Sequence, residues 1–581
     1  MSSLYRLYRQ KTGVCRTIPP LAVNNSFITN ASDKANVFNS IFASNGVVDN
    51  GIIPTLTLSP DTNQEICDQV VFTPELVLST INGLRPSHAV GPDGFSAYFY
   101  KEIGRQISSP LAEIFSLSMS SGKLPDIWRT AHITPIFKKG DPTDPNNYRP
   151  ISLTVVPCRI MEKIVRTTMM HFVIDNNLIG DDQYGFLPGR STVYQLLLAL
   201  DRWTEAFDLG IPSDVILFDF KKAFESVVHS KLLYKLSVFG FVGPLFTWIQ
   251  AFVTGRTQRV VMEQNSSEKL DVISGVPQGS VLGPLLFIIF LNDLSCNPDR
   301  AEQEKFADDL QLHSGITSPL DCLALNEEVN YVSRWAEEWQ LPISNSKCKS
   351  FHVGKKNTQH TYSIQNHNLP GTTSCKNLGV WFTEDLKFST HCSQVVLSSN
   401  RRMAMVKRCF TNSDVDTKVW AFKVYVRPMM EYASSVWSPY LLKDIDHVES
   451  VQRRFTKSLL GLSGLPYAQR LIRLKLDSLE LRRLKADLIL VFKNLHGLVS
   501  VSLPFFDRRY TTKTRGHSLK LILPLTRLDC RKHFFAVRVV PAWNSLTEEA
   551  VTASSVNIFK RLLNSSNLAP FLMRPEFFHQ Y

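Results

Sequence analysis

The chain reads as an α+β protein, and three observations say so. Between residues 130 and 383 short strand-like runs alternate with helical patterns. Beyond residue 390 strands nearly vanish and amphipathic helical patterns take over. Hydrophobic content of 44% and charged content of 20% are those of a packed globular chain, which excludes wholesale disorder. With 581 residues there is room for several domains.

Taken in order, residues 1–65 are rich in Asn, Ser and Pro, with a short helical pattern at Ala35, Val37, Phe38, Ile41 and Phe42. They are expected to form a poorly structured extension. Residues 66–117 form a helical segment: one helix starts at Pro74 (Leu76, Leu78, Ile81, Leu84), the pattern breaks at GPDG (91–94), and a second helix covers 97–121. HITPIF (132–137) reads as a strand before a Gly/Pro/Asp/Asn-rich turn. VILFDF (215–220) reads as a buried strand, and 221–240 as a helix closed by a glycine cap. A hairpin is expected over 259–274, and helices over 413–430, 444–460 and 474–496.

The longest apolar run, VLGPLLFIIFL (281–291), is about half of the roughly 20 residues needed to span a bilayer and contains Gly283 and Pro284. No membrane association is expected. The N-terminus has no apolar signal core, so the expected location is intracellular, in nucleus or cytoplasm. Ten cysteines are scattered without CxxC pairs or histidine partners, which argues against a disulfide framework and a zinc site. Charge is uneven. Residues 391–581 carry 30 Lys and Arg against 14 Asp and Glu, whereas 1–390 carry 34 against 38. A basic region beside an acidic one fits an enzyme that handles polyanions, and equally a solvated helical surface.

The chemistry centres on KFADDLQL (305–312). Asp308 and Asp309 are adjacent like charges between strand-like flanks, unfavourable unless a cation joins them. Alone, such a pair more often marks a solvated turn. Asp219 is a third acid, at the end of the run Val215–Phe218, where a helix N-cap is the simpler reading. Together, three carboxylates from neighbouring strands can hold two divalent ions about 3.5–4 Å apart, the arrangement of nucleotidyl transfer to a 3′-hydroxyl. Hard oxygen ligands point to Mg²⁺, with Mn²⁺ able to substitute.

The order of motifs resembles a reverse transcriptase, that of non-LTR, LINE-type, jockey-like retrotransposons. HITPIFKKGDPTDPNNYRPISL (132–153), QYGFLPGRST (183–192), VILFDFKKAFESV (215–227), SGVPQGSVLGPLLF (274–287), KFADDLQL, WQLPISNSKCKSFHVG (339–354) and NLGVWF (377–382) match the family's motifs in sequence. The resemblance implies a right-hand polymerase fold: fingers and palm with an antiparallel sheet over 118–383, a basic helical thumb over 384–500 and a helical C-terminal extension over 501–581. It implies RNA-directed DNA synthesis on an RNA template from a DNA primer with dNTPs. The rival reading is an inactive or repurposed nucleic-acid-binding remnant of such an element. Jockey-like elements carry an upstream endonuclease, for which residues 1–120 offer no room; a truncated copy or partial gene is expected.

Roles carry over residue by residue. The resemblance makes Asp219, Asp308 and Asp309 catalytic metal ligands. It places Phe224 under the sugar, where its bulk would exclude a 2′-hydroxyl. Lys138 and Arg149 would clamp the triphosphate, with Lys139 a less certain neighbour. Gln278 and Gly279 would let backbone approach template and nucleotide, and Lys347 would protonate departing pyrophosphate. Two departures are Glu225, where the family has Asp, and Ser344, where it has Asn. The pairs Arg401-Arg402, Lys407-Arg408, Arg453-Arg454 and Arg482-Arg483 are candidate phosphate contacts.

Overall fold

The computed structural model describes residues 4, 5, 7, 8, 18–23, 25–56, 65–262, 265–499, 505–508 and 516–579. Two mixed sheets and many helices build it, and only the elements used below are numbered.

Helix α1 (Ala31–Ala43) is capped by the Asn30 side chain, which accepts from Ser32 and Asp33 N–H. Its Phe38 is fully buried and meets the Tyr148 ring edge-on at 4.9 Å. The expectation of a poorly structured extension therefore fails for Ala31–Ala43. The apolar stripe at Ala35, Phe38 and Phe42 is long enough to dock a three-turn helix on a sheet; 9–17 and 57–64 lie outside the described residues. Helix α2 (Pro74–Asn82) begins at a Thr73 cap with Pro at the first position. The single helix expected over 97–121 breaks at Ile103 (φ −101°, ψ 14°), leaving Ala97–Glu102 and α3 (Gly104–Ser121), which ends at Gly122 with φ +65°.

Strands β1 (Thr130–Phe137) and β2 (Tyr148–Leu153) are antiparallel. Helix α4 (Val156–Asp175) and helix α5 (Thr192–Asp208) lead into β3 (Ser213–Phe218). The helix expected over 221–240 is shorter: 221–226 is a turn with Lys222 at φ +46°, and α6 spans only His229–Val238. Helical periodicity was present, but Ser226 Oγ donates to the Lys221 and Lys222 carbonyls and so holds the chain in a turn.

After α7 (Gly243–Val253), β4 (Arg256–Met262) runs parallel to β1 and antiparallel to β5 (Leu270–Val272), giving the expected hairpin. The apolar run at 281–291 becomes α8 (Gly283–Phe290), buried along nearly its whole length in the main core.

Next come β6 (Glu302–Phe306), β7 (Asp309–Gly315), α9 (Pro319–Glu338) and β8 (Lys349–Val353). The central sheet has the order Gly371–Thr372, β8, β3, β7, β6, antiparallel except for the first pair. A hairpin of β9 (Ser374–Asn377) and β10 (Val380–Thr383) follows. Then come α10 (Ser389–Cys409), α11 (Val415–Tyr425), α12 (Leu442–Lys457), α13 (Leu479–Leu495) and α14 (Val556–Asn564).

One core fills the space around α8. A second joins the back of the sheet (Val215, Phe351, Val353) to the helices beyond 389, ending at Leu572. No described helix is long and apolar enough to cross a membrane, and the nine described cysteines are free.

Candidate active site

The run 305–312 is two strands, not one. Phe306 pairs with Asp309, so Ala307 and Asp308 form a two-residue turn, with Ala307 held at φ +55°. A non-glycine residue there is strained, and the strain is held by neighbours. Gln183 Oε1 accepts from Ala307 N–H (3.0 Å) and Gly185 N–H (2.8 Å). A Cβ on Gly185 would lie 2.5 Å from the Ala307 nitrogen. The segment QYGF thus acts as a clamp on the turn, and Gln183, buried, is a supporting residue that sequence reasoning missed.

The last paired residues of β7 and β3 are Leu310 and Phe218. One step further along that register puts Asp309 across from Asp219, with Asp308 beside them in the turn. Three acids predicted from separate motifs therefore meet at one end of the sheet. Asp308 is half-buried and Asp309 opens onto a cleft. Removal from bulk water by the cleft walls, then Asp308, then Asp219, pushes the Asp309 carboxyl up to about 6. Burial raises Asp308 as well, with Asp219 adding to it.

The cations gather at the same place. Lys347 Nζ lies 2.9 Å from Asp219 Oδ2. Burial lowers the Lys138 pKa, helped by Arg149 and Lys347 and opposed by Asp219. Lys138 follows β1 and its N–H donates to Asn147 (2.9 Å), while Arg149 lies across from Ile136 in β2. Lys139, Lys347, Lys349, Lys376 and Trp381 line a cleft of about 570 Å³ with Asp219 and Asp309. Lys349 and Trp381 lie within the recognised runs and Lys376 directly before one, but nothing in the sequence said that they face the acids.

Phe224 stacks on Phe287 at 4.4 Å (14° between planes) and meets Phe186 edge-on at 6.2 Å. It projects from the 221–226 turn rather than from a helix. Gly279 has φ +110°, and a Cβ there would lie 2.8 Å from the Ser152 carbonyl oxygen, so both conformation and space require glycine. The Gln278 carbonyl accepts from Ser152 N–H (2.9 Å), and its side-chain oxygen is buried without a partner. Glu225 is a fourth acid near the turn, raised by burial and by Asp308 among its neighbours.

Among the described residues no three His, Cys, Asp or Glu side chains close into a metal cage, and Asp219 is turned toward Lys347. The donor set nevertheless suits a hard divalent cation: Asp308 and Asp219 each raise a neighbouring carboxyl, a repulsion that such an ion would relieve. The basic pairs are more varied than expected. Arg483 is fully buried, so it does not face a ligand. Arg482 pairs with Glu431, Arg453 lies over the Tyr467 ring at 5.2 Å, and Arg401 is exposed.

Residues 136–382 match the family described as reverse transcriptase (RNA-dependent DNA polymerase). The chain is 25% identical over 400 residues to a probable RNA-directed DNA polymerase from transposon X-element of Drosophila melanogaster, covering 67% of this chain and 43% of that protein. To the RNA-directed DNA polymerase from mobile element jockey it is 26% identical in Drosophila melanogaster (62% and 40% covered) and 28% in Drosophila funebris (68% and 44%). The chain thus spans less than half the length of these relatives. Over residues 136–382 the chain is thus similar to the reverse transcriptase family, and it is similar to RNA-directed DNA polymerases of mobile elements such as jockey.

Proposed function

We propose that this chain is an RNA-directed DNA polymerase that adds dNTPs to a primer 3′-hydroxyl on an RNA template. The observation that carries this reading is the meeting of Asp219, Asp308 and Asp309 at one sheet end, ringed by Lys138, Arg149 and Lys347. Asp219, Asp308 and Asp309 would hold two divalent ions, Mg²⁺ by their hard oxygens, which when bound supply charge neutralisation at the transferring phosphate.

The chain's own residues do the rest. Lys138 and Arg149 bind the triphosphate, Arg149 through a planar fork suited to phosphate oxygens. Lys347, paired with Asp219 in the free protein, is placed to give a proton from Nζ to departing pyrophosphate. Phe224, fixed by its stack on Phe287, walls the space below the sugar and excludes a 2′-hydroxyl. The Gln278–Gly279 turn brings backbone against the nascent base pair.

In this reading the two sheets are fingers and palm. The helices from 389 onward are the thumb and extension, gripping an A-form-like hybrid by backbone and shape. Purified protein should extend oligo(dT) on poly(rA) with Mg²⁺, and Asp308→Ala should abolish extension. An Asp308 variant as active as the parent would show the metal assignment wrong. Hybrid binding with no extension by the parent under Mg²⁺ or Mn²⁺ would favour a binding remnant instead.

A further inference from the structure

The loop Ser274–Leu282 carries Gln278 and Gly279, and it is tied down on several sides. Gly275 N–H donates to the Val227 carbonyl (2.7 Å) and Val276 N–H to that of Phe224 (2.8 Å). His229 Nε2 bonds the Gly275 carbonyl (2.9 Å), and Ser274 Oγ donates to the Glu225 carbonyl (2.7 Å). These bonds make the loop and the Phe224 turn one mechanical piece.

A further tie comes from the far side. Glu162, on α4 and fully buried, accepts through Oε2 from the N–H groups of Val281 (2.7 Å) and Leu282 (3.1 Å). Those amides precede α8 and have no other hydrogen-bond partner, as at any helix start. Glu162 Oε1 receives the Cys158 thiol at 3.6 Å. A lone buried carboxylate is costly. Here two amides meet it, and Arg256, itself buried and donating to the Phe252 carbonyl (2.9 Å), supplies opposite charge nearby. So expensive an arrangement, 0% exposed and aimed at two backbone amides, fixes where the loop sits.

We propose that Glu162 is a positioning residue for nucleotide selection. It sets the height of the Gln278–Gly279 turn and, through the Val276–Phe224 hydrogen bond, the seat of the Phe224 ring, and thereby the preference for deoxynucleotides. The proposal rests on the polymerase reading. Without an acceptor at Glu162 the loop drifts, the nucleotide pocket loosens, and a ribose hydroxyl is tolerated.

The test pairs two measurements on the full chain. One is hydrogen exchange over 276–282. The other is the ratio of kcat/KM for dTTP over UTP on poly(rA)·oligo(dT). Glu162→Met fills the space without accepting a hydrogen bond; it should lose amide protection and at least about tenfold in selectivity, mainly through a lower KM for UTP. Glu162→Gln keeps an oxygen acceptor of the same shape and should lose only about two- to threefold, with partly retained protection. Should Glu162→Met fail to fold, Glu162→Gln alone still decides, since protection and selectivity must fall together. Unchanged protection in the variants overturns the proposal, as does unchanged selectivity in a variant whose loop has loosened. A parent protein that extends no primer overturns the polymerase reading itself, which is a different result.

Discussion

Asp309 shows what a charged site costs a single residue. Its carboxyl is held up to about 6 by the cleft walls, then by Asp308 and Asp219. A carboxyl whose folded pKa lies above its unfolded value of 3.8 contributes stability that is complete below about pH 4 and lost as pH rises through 6. Above pH 6 the ionised group is therefore a burden on the metal-free fold. Asp309→Asn should raise the melting temperature of the metal-free protein at about pH 7.5, with the difference from wild type vanishing near pH 4, while extension is lost. A variant melting below wild type at pH 7.5 would contradict this account. The three acids stood out in the sequence through the order of motifs around them, since an adjacent pair alone reads as a solvated turn and a strand-end acid as a helix N-cap. Gln183, Lys349 and Lys376 were not legible. Their importance lies in which way they face, and that follows from register and from the Ala307 turn.

Elements were legible where one face decides their fate. Strand β3, the 259–274 hairpin and helices α11, α12 and α13 lie close to where hydrophobic period put them. The misread elements have two causes, local bonds that overrode period and tertiary docking that ordered a short helix. Side-chain bonds from Ser226 hold 221–226 as a turn, and a short docking stripe orders α1 against a sheet built a hundred residues later. Tertiary partners also decide the C-terminal helices. Asp487 on α13 is 2% exposed and accepts two bonds from Arg538, at 2.8 and 3.1 Å, while Arg538 also donates to the Ser435 carbonyl. Arg538→Ala strips that buried carboxylate of its hydrogen-bonded guanidinium, leaving only the Ser435 bond and the nearby Arg483 charge, and should cost about 3 kcal/mol in urea unfolding. A loss under about 1 kcal/mol would mean that water replaces the guanidinium there.

At the scale of the whole molecule, the positive balance lies beyond residue 390, but its members are of two kinds. Arg483 is spent inside the core, whereas Arg401 on α10 stands in solvent. Hybrid binding should weaken linearly in log–log coordinates as salt rises, and Arg401→Gln should lower the slope by about one without changing thermal stability. An unchanged slope would remove Arg401 from the contact surface. Composition alone showed the basic bias and could not sort these arginines, because burial is a property of the assembled helices.

The second core has a consequence for synthesis. Arg531 donates to the Asp201 carboxylate (2.5 Å) and to Thr204 Oγ1 (3.1 Å) on α5, across a sequence separation of about 330 residues. Ribosomes elongate at about 5–20 residues per second, so that face of α5 stays uncovered for roughly 20–60 s after it emerges. The back of the sheet can close only once residues some 330 positions beyond α5 have left the tunnel, so its apolar face stays open to solvent for that whole interval of synthesis.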